Sequence, residues 1–445
     1  MSNELKKTLK PIQLWAIIVG MVISGMYCGW NNALDFTSPV GFIIAILIVT
    51  VFYTTFIFSY AELSTAIPHA GGASEYASRA LGRFGGFIAG FSSLVEFLFA
   101  TPAIAISIGA YINFLVPAVP ALVAAVSVYA IFVLINCFGI EAAAKIELIV
   151  TIIAILGLVF FMGAGAPHIE MNNIFGGETF KGGFKGIFAA IPFAIWFYLA
   201  VEGGAMSAEE CENPRRDVPK GFILGIVTLV VLALGTFFVV VGTSDLSTLS
   251  SSGSPLPDAL QRVYGDGLIS KAMSFIGLFG LVASLHGIII GYSRQAFAMS
   301  RSGYLPKFLS KTNSKGAPVY SIVIISLIGM LFVLTGQTAV IIVISTFGAV
   351  ILYIISMISL FILRSKEPNL NRPFKVSYPL VPAIALLIAL VFLVAVTISN
   401  ISTASWVVLA YAIAIIYYFV YSKMQGTNTE ESNEDFNEEI DVEAI

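Results

Sequence analysis

This chain is short of charge. Asp, Glu, Lys and Arg make up 11% of its 445 residues, against about 25% in soluble domains. A soluble domain is excluded on that ground, and no nucleic-acid partner is expected. Cysteine is nearly absent. Cys28, Cys137 and Cys211 fall in or beside apolar stretches or in a loop, at spacings that imply no disulfide and no metal site. No glycine-rich phosphate loop of the ATP-binding kind occurs, so any energy has to come from an ion gradient. No enzyme activity, cofactor or metal is expected.

What is abundant is apolar: 58% of the residues are hydrophobic. A membrane span takes about 20 such residues in a row. Twelve stretches qualify, near 12–36, 40–66, 84–115, 119–138, 145–165, 186–206, 219–242, 267–295, 319–335, 339–363, 379–398 and 404–421. The first lacks a small-residue cleavage site and is long enough to span, so it reads as a retained helix rather than a signal peptide. An even number of spans puts both chain ends on one face. That face carries 19 of the 23 Lys and Arg residues, against Lys181, Lys185, Arg262 and Lys271 on the other. The positive-inside rule then places residues 1–11 and the C-terminus in the cytoplasm, with the protein in the plasma membrane. The tail, 422–445, holds eight acids and one base with no apolar run, and is expected to be disordered.

Two spans are interrupted by glycine. The first meets Ser24-Gly25 and resumes as MYCGW; the sixth meets Glu202-Gly203-Gly204. Unwound backbone at membrane depth survives only where protein or a cavity covers it. Interrupted spans in corresponding places of two halves mark a transporter's binding site.

Longer stretches carry a family resemblance. IPHAGGASEYASRALGRFGGFIAG at 67–90, EGGAMSAEECENPRRDVPKG at 202–221 and SRQAFAMSRSGYLPKFLS at 293–310 are similar, in order, to motifs of the amino acid–polyamine–organocation permeases. The resemblance runs from Gln13 to about Tyr421. It implies an all-α membrane protein with the leucine-transporter fold: an inverted repeat of helices 1–5 (12–165) and 6–10 (186–363), with helices 11 and 12 (379–421) added. It also implies secondary transport by alternating access. Within the family, ISGMYCGWNN at 23–32, VEFLFATPAIAISIGAY at 95–111 and SLHGIIIGYSRQAF at 284–297 most resemble the ethanolamine permeases. The implied substrate is a small amine, ethanolamine first, moved with a coupling ion, H+. The alternative is an amino-acid permease of the same family, symporter or exchanger. A sensor would need a signalling domain that the tail is too short to supply, and nothing suggests the polar stripe of a channel.

Carried over by position, Ser24, Gly25 and Met26 are the unwound part of helix 1, and Phe197 through Glu202 that of helix 6. Three departures stand out. Amino-acid permeases carry glycine where this chain has Ile23, beside the amides that hold the substrate carboxylate. A branched side chain crowds that spot, which favours an amine without a carboxylate. The helix-6 pattern has Ala200 in place of glycine. The mid-membrane lysine of proton-coupled relatives is Ala154 here, and helix 5 has only Lys145, near its cytoplasmic end.

Ionisable residues inside a membrane span are rare and functional by default. Glu96, in LVEFLFA, pairs with a substrate ammonium or carries a proton; the plainer reading is a hydrogen bond that holds the scaffold. Glu202 gates the broken helix, or only accepts hydrogen bonds from its freed amides. His286 titrates near neutral pH and is a proton-coupling candidate, or a satisfied structural histidine. Tyr27, Trp30, Trp196, Phe197 and Tyr198 flank the breaks and suit a cation cage, or simple packing.

Overall fold

Lipid offers the backbone no hydrogen bonds, so each apolar run closes its own as a helix. The computed structural model describes residues 9–138, 143–178 and 180–424. Its principal helices are helix 1 (Pro11–Val22), helix 2 (Pro39–Ala66), helix 3 (Ala73–Leu115), helix 4 (Ala121–Cys137), helix 5 (Ala143–Gly165) and helix 6 (Gly183–Ile195). Then come helix 7 (Pro214–Thr243), helix 8 (Leu268–Arg301), helix 9 (Val319–Val333), helix 10 (Thr338–Lys366), helix 11 (Leu380–Ser399) and helix 12 (Ile401–Met424). Eight are long and apolar enough to cross a membrane, and helices 1, 4, 6 and 9 are shorter apolar helices. The twelve correspond one for one to the stretches read from sequence. Residues 425–445 of the acidic tail, the first eight residues and the Lys145 side chain lie outside the described residues, whereas Ser422, Lys423 and Met424, expected to be disordered, continue helix 12.

Local chemistry fixes several ends. Helices 1, 2 and 7 begin on Pro11, Pro39 and Pro214, where the missing N–H has no partner to lose. Gly82, at φ +78°, lets the chain turn from a short entry helix into the main run of helix 3.

Helices 3 and 10 form the centre. In their apolar stretches 72% of residues are buried in protein, against 22% in helix 12, which presents Trp406, Ile413 and Ile416 outward. Helices in lipid gain little from hydrophobic burial against one another, so close backbone approach matters more. Gly348 provides it: a Cβ there would collide with the backbone of Ser92 and Glu96. That contact seats helix 10 directly on the stretch of helix 3 that carries Glu96.

Candidate transport site

Helix 1 breaks because a side chain enters its hydrogen-bond ladder. The Ser284 hydroxyl, from helix 8, donates to the Gly20 carbonyl at 2.6 Å. The same oxygen accepts the Ser24 N–H at 3.0 Å. Insertion of this kind is one of the few causes of a sharp kink. Ser24, Gly25, Met26 and Tyr27 then form one helical turn rather than an unwound strand. Cys28 is extended and Gly29 stands at φ +88°, and the chain resumes as a 3-10 turn over Trp30–Asp35. Glycine is required at Gly25, where any Cβ would run into the Trp196 carbonyl. The two broken helices therefore touch backbone to backbone.

Four carbonyls at that turn already accept a bond. Trp30 Nε1 donates to Met26 O at 3.2 Å, Tyr111 OH to Tyr27 O at 2.8 Å, and Trp196 Nε1 to Cys28 O at 2.9 Å. The Cys28 thiol faces Ser24 O at 3.6 Å. Tyr27 sends its hydroxyl to Ala154 O at 2.6 Å, the position where relatives are expected to carry lysine.

Helix 6 ends at Ile195, and the chain turns through Trp196 to Ala200 before a 3-10 stretch over Val201–Glu210. Ala200 has φ +75°, the one non-glycine with positive φ among the described residues. A left-handed L-residue costs about 1–2 kcal/mol, so the glycine of the family pattern has a physical reason.

The freed Ala200 N–H donates to Glu96 Oε1 at 3.1 Å. The acid that caps the broken backbone is thus Glu96, whereas the sequence suggested Glu202 for that task. Tyr353, from helix 10, lies 3.3 Å from Glu96 Oε1 and 3.1 Å from Glu202 Oε2. One hydroxyl has one proton and cannot donate to two carboxylates at once. Both contacts are satisfied together only when one carboxyl itself carries a proton. Both acids are fully or almost fully buried, and Glu96 Oε2 and Glu202 Oε1 have no hydrogen-bond partner. Among the described residues, neither forms an ion pair.

The flanking aromatics pack on one another. Trp30 stacks on Phe197 at 5.6 Å, and Tyr198 holds Thr50 Oγ1 at 2.7 Å with its ring 5.1 Å from Tyr53. His286 is elsewhere: its Nδ1 meets Asn136 Nδ2 at 3.0 Å, toward helix 4. Sequence reasoning missed Tyr353 and Ser284. It also passed over Glu147 in helix 5, a buried acid with an unpartnered Oε1 set against Gly20 of helix 1.

The two faces differ. On the face opposite the N-terminus, a vestibule of about 370 Å³ descends to Cys28 and Gly29, lined by Asn32, Ser107, Ser252 and Gln337. Trp196 is bonded to Cys28 O, one of the residues that line it. On the N-terminal face, Arg294 of helix 8 pairs with Glu210 at 2.7 Å and reaches Ser207 Oγ at 3.0 Å. Leu9 joins the end of the Val201–Glu210 stretch by backbone bonds to Glu210 and Glu212 at 2.8 and 3.0 Å.

Twelve apolar helices, the first and sixth broken against each other beside buried acids, with a vestibule on one face and a plug on the other, define a membrane transporter. The amino acid permease family model matches residues 9–421, and the chain belongs to that family. An uncharacterized transporter of Rhizobium meliloti is 28% identical over 86% of this chain and 85% of its own. The branched-chain amino acid permease BcaP of Bacillus subtilis is 24% identical over 95% of this chain and 94% of its own. The aromatic amino acid transport protein AroP of Escherichia coli K12 is 23% identical over 93% of each.

Proposed function

We propose that this permease carries a small amine, ethanolamine first, by alternating access between the vestibule and the N-terminal face, with a proton as coupling ion. The observation that carries the reading is the Glu96–Glu202–Tyr353 cluster. A desolvated ammonium needs charge or well-aimed acceptors. Four carbonyls around the helix-1 turn already accept a bond, and Glu96 Oε2 and Glu202 Oε1 are buried side-chain acceptors with no partner. Two carboxyls sharing one proton carry one negative charge, which one ammonium neutralises. The loaded site is then neutral with its proton aboard, and proton and amine move together.

A carboxylate finds less support. The Ser24 amide is committed to Ser284, Gly25 is covered by Trp196, and Ile23 fills the neighbouring space. The second reading, an α-amino acid, is favoured by BcaP and AroP, whose names state amino-acid transport. The charge asymmetry of the loops supports an N-terminal face in the cytoplasm, and membership of the permease family supports a plasma-membrane protein with repeats at 12–165 and 186–363.

Equilibrium binding to the purified protein decides between the readings. Ethanolamine is expected to bind and serine, which differs by the carboxylate, is not. Serine or leucine binding as tightly as ethanolamine would transfer the assignment to the amino-acid reading.

A further inference from the structure

Between the acid pair and the N-terminal plug lies a polar group with nothing to bind. Gln295, in helix 8, is 1% exposed, and neither its Oε1 nor its Nε2 has a hydrogen-bond partner. The Ser93 hydroxyl of helix 3, also 1% exposed, is unpartnered too. Two glycine contacts fix the register of these helices. A Cβ on Gly291 would meet Phe97 at 3.2 Å, and one on Gly90 would meet Gln295 Nε2 at 3.0 Å. Helix neighbours lie three and four residues apart, so Gly90, Ser93 and Glu96 step along helix 3 from the level of Gln295 to the acid pair. One residue before Gln295 on helix 8, Arg294 holds Glu210 and Ser207.

A buried amide with both ends unsatisfied is destabilising relative to an apolar side chain of the same size. Leucine would fill the place without that penalty. Native structures hold few such groups, and each calls for an explanation. Here the position supplies one. The seam runs along helix 3 from the acid pair, and on helix 8 it lies one residue from the Arg294–Glu210 pair, so a route from the acids past that pair would run beside it.

We propose that the Gln295 carboxamide and the Ser93 hydroxyl form a polar station that receives the transported molecule on its way from the acid pair to the N-terminal face. The carboxamide offers both a donor and an acceptor, so it serves the hydroxyl and the ammonium of an amino alcohol alike. The station rests on the reading of a small polar substrate for the acid pair. It differs from that pair in acting after binding.

Wild type and Gln295→Leu are purified, reconstituted and supplied with radiolabelled ethanolamine, and in parallel with radiolabelled leucine. In the variant, the thermal midpoint is expected to rise by a few degrees and equilibrium binding to stay within about twofold. Uptake is expected to fall by tenfold or more. Gln295→Glu, which keeps a polar head, is expected to recover part of the rate. Should Gln295→Leu fail to fold, Gln295→Met gives the same comparison. Wild-type uptake by the apolar variant overturns the station, as does a parallel loss of binding and stability, which marks Gln295 as scaffold. Wild-type protein that accumulates leucine and not ethanolamine overturns the amine reading instead, and the station is then judged on the leucine arm by the same criteria.

Discussion

The hydroxyl of Ser284 stands 2.6 Å from the carbonyl oxygen of Gly20 and occupies the hydrogen bond that helix 1 would have closed with Ser24. Helix 1 is therefore broken by helix 8, not by its own glycine. Gly25 serves a different end, the close approach of Trp196. Ser284→Ala removes the inserted oxygen and lets the ladder reclose. Uptake is expected to drop at least tenfold, about 1.4 kcal/mol in a rate or binding constant, with unchanged membrane expression. Uptake like wild type would show that the break does not depend on Ser284.

Glu96→Gln keeps the shape of the side chain and removes its charge. The Ala200 N–H can still donate to the amide oxygen, so folding is expected to survive. Amine uptake should fall tenfold or more. Loss of binding in the purified variant assigns Glu96 to the ammonium. Retained binding with loss of concentrative uptake assigns it to the coupled proton. Wild-type binding and accumulation together would leave it as scaffold.

Tyr353→Phe removes the hydroxyl that lies between the two acids. With the bridge gone, the protonated carboxyl loses its acceptor and the other carboxylate loses its donor. The pH dependence of uptake is expected to shift, while the tilted ring contact of Tyr353 with Phe56, at 4.4 Å, persists in phenylalanine. An unaltered pH profile measured in proteoliposomes would count against a shared proton.

Ala200 offers a stability test. Its left-handed backbone costs an alanine about 1–2 kcal/mol that glycine does not incur. Ala200→Gly is expected to raise the thermal midpoint of the purified protein. A lowered midpoint would mean that the alanine methyl packs well enough to outweigh the strain.

The broken spans and Glu96 were legible because glycines and a carboxylate stand out in apolar runs, where lipid makes them costly. The twelve helices were legible for the same reason. Their partners were not. Ser284 lies 264 residues from Gly20, and Tyr353 lies 257 from Glu96. Nothing in an apolar helix with one serine or tyrosine tells which neighbour it will face. His286 shows the converse: it stands out in sequence as titratable, yet two residues from Ser284 it turns toward Asn136 and not toward the breaks. The division of work between Glu96 and Glu202 was also out of reach, because it depends on which carboxyl the Ala200 amide meets.

Cys211 reports on the plug at the N-terminal face. It is wholly buried, beneath the Leu9 segment and beside Glu210. Burial first, then the nearby Asp217 and Glu210 carboxylates, push its thiol up to about 12. Maleimide reacts with the thiolate, so labelling at neutral pH is expected to be slow. An exposed cysteine titrates near about 8.5 and labels readily as the pH rises toward that value. Arg294→Gln removes the ion pair to Glu210 and leaves that partly buried carboxylate with less compensation, which favours opening. In that variant Cys211 labelling, followed by peptide mass, is expected to accelerate tenfold or more and to steepen between about pH 7 and 9, where an ordinary thiol ionises. Substrate should then modulate the rate, since it biases the two conformations. Equal labelling of Cys211 in wild type and Arg294→Gln at every pH would mean that this ion pair does not hold the face closed.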